Sequence, residues 1–231
     1  MEIAIPKQIY QIWIGDRNPP RTWMETWKNH HPKWSYTIID NEYLKEQSFK
    51  NQHLIAEYIK RREFAGAADL IRYEILYENG GFMPEADSIC LKNTDELWTQ
   101  KTAYTVFENE IVRGDFVSPI LASDKQNVFV GSLISELNKL KAADLDKAWK
   151  TTGNAFVARQ LKQTSNDVVI FPSHYFIPKH FTGQTYSGNG PIYAEQLFGE
   201  TTGGYAQLSL WSRLMRKKGK IRSAYYRKFR K

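Results

Sequence analysis

The sequence predicts an α/β domain in which a central, mostly parallel sheet is flanked by helices. Three stretches carry that expectation. Residues 5–15, IPKQIYQIWIG, alternate as a strand does, with Ile9, Gln11 and Trp13 set against Tyr10, Ile12 and Ile14. Residues 64–79 repeat Phe64, Ala68, Ile71 and Ile75 at helical spacing and end in Asn79-Gly80-Gly81, residues that tolerate positive φ and turn the chain. Beyond that break, strand-like and helix-like segments go on alternating as far as Phe171.

Taken in order, Gly15, Asn18, Pro19 and Pro20 close the first strand with a loop, and Trp23 and Trp27 sit four apart on a short helix. His30 and His31 follow on a loop; adjacent residues face differently, so they are not a metal site. Residues 34–40 form a second strand, and the polar stretch 41–62 is helical with an ordinary solvated face. In the helix 64–79, Asp69 and Arg72 lie three apart and share a face. By itself such a pair is a surface ion pair contributing at most about 0.5 kcal/mol. After the glycines, Pro84 cannot donate to a ladder and marks a strand end or edge. An extended backbone from Glu85 to Asp87 would send both carboxylates out of one face, with Cα atoms roughly 6.5 to 7 Å apart. Two carboxylates that close repel each other and call for a hard cation such as Mg²⁺ or Mn²⁺.

Downstream, 103–108 and 116–122 are expected as strands, with Glu108-Asn109-Glu110 as a turn. Helices are expected over 126–140 and 143–161, the second interrupted at Thr152-Gly153-Asn154, and a short strand over 168–171. His174 and His180 lie in the loop-rich region after it; neither has a Cys or His partner at ligand spacing, which makes each a structural or surface histidine.

With 231 residues, 42% of them hydrophobic, one sizeable core and one domain are expected. The single cysteine, Cys90, sits in an apolar strand as a structural thiol. No apolar run approaches the roughly 20 residues of a spanning helix and no signal-peptide core is present, which predicts a cytoplasmic protein. The net charge of +7 is uneven: 205–231 holds ten Lys and Arg and no acid, leaving 22 basic against 25 acidic residues in 1–204. We therefore divide the chain into a catalytic domain, 1–204, and a basic amphipathic tail, 205–231. Basic residues interleaved with Tyr225, Tyr226 and Phe229 suit an anionic membrane surface, each charge near it adding about 1 kcal/mol. Nucleic acid is the less favoured partner for the tail.

The stretch Asp69, Arg72, Tyr73, Gly80, Gly81, Glu85-Ala86-Asp87 resembles the DXD-containing nucleotide-sugar glycosyltransferases of the initiating mannosyltransferase and capsular polysaccharide transferase type, and more distantly the clostridial glucosylating toxins. The opening strand is similar to the family's first strand. Glu85 stands where Asp is usual, Met83 where Tyr is usual, and Gln196 where His is common. The resemblance implies a single GT-A type domain with its site at the carboxyl ends of the strands. It also implies a retaining transfer of a hexose from a UDP-linked donor to a saccharide or lipid-linked saccharide acceptor, in surface polysaccharide synthesis at the inner face of the membrane. On that resemblance Asp87, Glu85 and Gln196 hold Mn²⁺ or Mg²⁺, and Asp69 and Arg72 orient the donor hydroxyls and phosphate. Gln11 and Trp13 meet the base, and Gly81 and Asn154 line the donor pocket. Two other classes stay open: a sugar-nucleotide or glycan binding protein without turnover, and a basic-tailed RNA-associated protein.

Overall fold

The computed structural model describes residues 3–119, 121–163 and 167–205. The chain divides into a large unit, Met1–Gln196, and a small one, Leu197–Lys231. In chain order the large unit comprises β1 (Gln8–Ile12), α1 (Arg21–His30), β2 (Ser35–Ile39), α2 (Asn41–Lys45), α3 (Gln52–Lys60) and α4 (Phe64–Asn79). β3 (Gly81–Phe82), β4 (Ser88–Cys90), β5 (Ala103–Val106), α5 (Glu110–Arg113), β6 (Ala122–Ser123) and α6 (Val128–Leu137) follow. α7 (Ala148–Thr151), α8 (Asn154–Gln163), β7 (Val168–Phe171) and β8 (Ala194–Gln196) complete it. In the small unit, Thr202 N–H donates to the Phe198 carbonyl at 2.8 Å, and Gly203 takes a positive φ of 70°. Beyond Tyr205 the expected basic tail lies outside the described residues.

Six strands form the central sheet in the order β2-β1-β3-β6-β5-β7. Every neighbouring pair is parallel except the two that involve β6, which runs against both β3 and β5. The α/β architecture with a mostly parallel sheet is thus the one the alternating pattern implies. Because β1 and β3 are parallel and Ile9 faces Phe82 across them, the chain leaving each strand emerges at the same sheet edge. Gly81, at φ +108°, makes this pairing close: a Cβ there would lie 2.6 Å from the Gln8 carbonyl oxygen.

α4 is the centre of the packing. Residues 69–76 are all buried, so the helix is enclosed nearly all round rather than amphipathic. α3 lies against it so closely that a Cβ on Gly66 would meet the Tyr58 ring at 2.7 Å. On the other side of the sheet, Phe82 is ringed by Trp27, Trp34, Trp98 and Phe176, with centroids 4.8 to 6.4 Å away.

Three segments depart from the sequence expectation. The strand expected over 116–122 contributes only Ala122–Ser123 to the sheet, with Val117 making a single bridge to Phe107; Pro119 intervenes and lacks the N–H a continuous ladder needs. The helix expected over 143–161 with an interruption at Thr152-Gly153-Asn154 starts only at Ala148, and Asn154 already belongs to the helix after the break. The acidic stretch after Gly81 is not one strand: β3 ends at Phe82, and β4 pairs antiparallel with β8 in a separate two-stranded sheet. Among the described residues no helix is long and apolar enough to cross a membrane. Cys90 is buried, its Sγ 3.2 Å from the Lys92 carbonyl, and burial pushes its thiol up to about 12, which suits a structural rather than a nucleophilic role.

Candidate active site

Asp69 and Arg72 are not a surface pair. The Arg72 side chain is 4% exposed and lies between two carboxylates: Nη2 is 2.6 Å from Glu85 Oε1 and Nη1 is 3.8 Å from Asp69 Oδ1. Its Nε is buried without a hydrogen-bond partner. Asp69 Oδ2 accepts from the Thr152 hydroxyl at 2.9 Å, and the Tyr73 hydroxyl donates to the Thr152 carbonyl at 2.5 Å. The break between α7 and α8 is therefore clasped onto α4. Gly153 allows the approach, since a Cβ there would stand 3.0 Å from Asp69 Oδ2.

The backbone from Glu85 to Asp87 is a turn rather than an extended strand. The Glu85 carbonyl accepts from Ser88 N–H at 3.2 Å and from the Ser88 hydroxyl at 2.6 Å, a closure that an extended chain cannot make. Gln11 Nε2 donates to the same carbonyl at 3.2 Å, while Gln11 Oε1 accepts from the Tyr36 hydroxyl at 2.6 Å. Gln11 is thus wholly buried with both ends of its amide engaged. In this arrangement its amide pins the acidic turn to β1. The two carboxylates then diverge. Glu85 turns to Arg72, and Asp87 Oδ1 accepts from Gln196 Nε2 at 2.6 Å across the β4–β8 pair. They still feel each other: burial raises the Glu85 carboxyl above its usual range, and Asp87 adds to the rise while Arg72 opposes it.

Among the described residues no three His, Cys, Asp or Glu side chains converge as a metal-holding group. The donor set nevertheless fits a hard divalent cation of the kind that takes one or two carboxylates and completes its shell with substrate phosphates. Of the residues expected to hold it, Asp87 accepts from the Gln196 amide nitrogen and Glu85 pairs with Arg72.

The other expected residues fall as follows. Trp13 leaves the end of β1 partly exposed, its Nε1 donating to the Arg17 carbonyl at 2.7 Å. Gly81 is buried where β3 lies close against β1. Asn154, first residue of α8, donates from Nδ2 to Glu108 Oε2 at 2.7 Å. That contact belongs to a group the sequence did not reveal: Glu108 Oε1 lies 3.2 Å from His180 Nε2 and 3.3 Å from Arg113 Nε. His180, expected as a solitary histidine, is buried against a carboxylate 72 residues away. The only local signal was Glu108-Asn109-Glu110 itself, where Asn109 caps α5 through Ile111 and Val112 N–H.

Burial raises the Asp69 carboxyl from 3.8 to about 7, with Arg72 pulling it down and Glu85 pushing it up. A folded-state value above the unfolded one stabilises the fold below the unfolded pKa, and that stability is lost as pH rises from about 4 to about 7. We expect Asp69→Asn to raise the melting temperature relative to wild type by roughly 5 °C at pH 8 and to leave it nearly unchanged at pH 4. Equal shifts at both pH values would refute the assignment.

The chain is an α/β domain with a mostly parallel sheet, in which a buried Arg72 lies between Asp69 and the half-buried Glu85, with a second acid, Asp87, two residues on. Residues 20–104 match the model of a family described as glycosyltransferase sugar-binding region containing DXD motif. The chain is 27% identical over 118 residues to inositol phosphoceramide mannosyltransferase 3 of Schizosaccharomyces pombe, covering 47% of this chain and 33% of that protein's length. It is 23% identical over 186 residues to an uncharacterized glycosyltransferase of Acanthamoeba polyphaga mimivirus, covering 75% of this chain and 73% of that one. The solved structure of PaToxG glycosyltransferase superposes with a TM-score of 0.59 at 17% identity, over 69% of each chain. That last likeness is one of fold.

Proposed function

We propose that this protein is a metal-dependent glycosyltransferase that moves a hexose, with retention, from a UDP-linked donor to a saccharide or lipid-linked saccharide acceptor. The observation that carries it is the Arg72 guanidinium, buried between Asp69 and Glu85 and holding one Nε–H without a partner. Departure of a nucleoside diphosphate develops negative charge on its oxygens, and a fixed, desolvated cation beside that charge stabilises the transition state more than water does. Arg72 serves that purpose, and Asp69, anchored by Thr152, orients the sugar hydroxyls. Asp87 and Gln196 would hold a divalent ion, which when bound supplies Lewis-acid neutralisation of the diphosphate. Trp13 offers an aromatic face at the same sheet edge. The DXD-type region at 20–104 and the mannosyltransferase relative support a sugar donor.

The place of action we infer is the cytoplasmic face of a membrane, reached through the basic tail, in the synthesis of surface polysaccharide. Deleting 205–231 is expected to abolish sedimentation with anionic liposomes; undiminished sedimentation would count against the tail as anchor.

The engagement of Glu85 by Arg72 favours one second reading, a sugar-nucleotide binding protein without turnover. Donor hydrolysis over a panel of nucleotide sugars with Mn²⁺ separates the two. Turnover with release of the retained anomer is expected. Tight nucleotide binding with no turnover of any donor supports the binding protein, and an inverted anomer refutes retention.

A further inference from the structure

A basic groove runs along one face of α8. Ala155, Ala158, Arg159 and Lys162 recur at three- and four-residue spacing, so they line up over about 10 Å of the helix. The two alanines are buried and lie at the floor of a cleft of about 350 Å³, with Arg113, Asp115 and Phe116 completing its wall. That volume is within the range of small-ligand pockets. Three cations line it against one carboxylate, and the stretch 147–162 as a whole holds four basic residues and no acid.

These cations are held in place without being neutralised. The Arg113 guanidinium stands over the Phe116 ring at 4.9 Å and the Trp149 ring at 5.6 Å, which fixes its plane. Its Nε is 3.3 Å from Glu108 Oε1 but makes no hydrogen bond. Arg159 donates from Nη2 to the Lys150 carbonyl at 3.0 Å, a neutral acceptor. Lys162 Nζ meets Asp115 Oδ2 at 2.7 Å, yet both side chains are largely exposed, so water screens the pair and a stronger anion can displace Asp115.

A charged helix face is ordinarily just a solvated one. Here the face is the side of a cleft, and the buried alanines and the Phe116 ring keep water from part of it, which strengthens the attraction of the cations for an anion. Guanidinium forks match phosphate oxygens in pairs. The three cations less Asp115 leave a surplus of two charges, or of one when the buried Glu108 is counted against Arg113. A phosphate monoester, with close to two negative charges near neutral pH, complements that surplus. The alanine floor and the aromatic wall accommodate a short carbon skeleton beside the phosphate. The chain's own segment 205–231, ten Lys and Arg with no acid, has the wrong charge to fill the groove.

We infer that this groove binds phosphate monoesters of small organic molecules, at a site separate from the Asp69, Arg72 and Glu85 cluster. Its head adjoins that cluster: Ala155 follows Gly153 by two residues, and a Cβ on Gly153 would lie 3.0 Å from Asp69 Oδ2. The inference goes beyond the transferase reading and holds whether or not the cluster transfers sugar.

The test titrates the full chain with glycerol phosphate, and with glycerol as the uncharged control, and follows binding calorimetrically. Glycerol phosphate is expected to bind about tenfold or more tighter than glycerol, and to weaken as salt is added. Arg159→Ala and Lys162→Ala, both at exposed positions, should each weaken it several-fold at unchanged melting temperature. Asp115→Asn should tighten it, because the carboxylate that competes for Lys162 is gone. Arg72→Lys, in the neighbouring cluster, should leave it unchanged. Water-soluble dihexanoyl phosphatidate separates a lipid headgroup from a free ester: if it binds about tenfold tighter than glycerol phosphate and loses that affinity in Arg159→Ala, the site stands and its phosphate is a headgroup. Equal binding of glycerol and glycerol phosphate, an affinity that survives both groove substitutions, or its loss in Arg72→Lys would overturn the proposal.

Discussion

Replacing Asp87 by Ala is expected to lower donor turnover about a thousandfold, roughly 4 kcal/mol of transition-state stabilisation, with a melting temperature within about 2 °C of wild type. The first half follows from its place: Asp87 is the carboxylate not committed to Arg72, and it stands on a turn held at one end by Gln11 and Ser88. The second follows from its exposure, since Asp87 is only partly buried and its partner Gln196 is as well. Asp87→Asn retains an oxygen to accept from Gln196 and removes only the charge, so it should lose nearly as much activity as Asp87→Ala. Gln196→Ala, which removes a neutral neighbour, should cost about tenfold. Chelation of divalent ions should abolish wild-type turnover and added Mn²⁺ restore it. If Asp87→Ala turns over at the wild-type rate, the cation is held elsewhere or is not needed.

How far this site was legible depended on whether its determinants were local. The helix 64–79, the glycines that end it and the acids that follow are written in consecutive residues, each with a physical signature: helical spacing, positive φ, adjacent carboxylates. The direction of each side chain was not. Period-2 alternation in β1 separates Gln11 from Ile12 but says nothing of which face is open, and β1 is buried on both, so Gln11 turned inward. The turn at Glu85 depends on the Ser88 hydroxyl and on Gln11, which is 74 residues away in sequence. Glu108, Asn154 and His180 meet only because the ends of β5 and α8 and the loop after β7 converge in space, and no spacing rule joins residues 46 and 72 apart. The antiparallel β6 was obscured in another way: Pro119 truncates the segment expected as its strand, and what remains is two residues long.

Arg72→Ala should be the most destabilising single change in the site, because it leaves Asp69 and Glu85 facing each other across the space of a buried cation. Removing one member of a buried ionic group costs about 3–5 kcal/mol, here a fall in melting temperature of roughly 10 °C at pH 7.5. The deficit should shrink on acidification. Without the guanidinium both carboxyls rise further above their unfolded values, the folded state takes up protons that the unfolded state does not, and stability is regained as pH falls toward about 4. Arg72→Lys keeps the charge but not the fork, so it should melt closer to wild type while losing donor turnover about a hundredfold. That contrast separates two purposes. In the intact protein burial raises the Asp69 carboxyl to about 7 despite Arg72, so at neutral pH the Asp69 charge by itself opposes folding, while Glu85 and Asp69 raise the Arg72 guanidinium and favour its charged form. A variant melting like wild type at every pH would show instead that the cluster rearranges freely and cannot be the preorganised element catalysis requires.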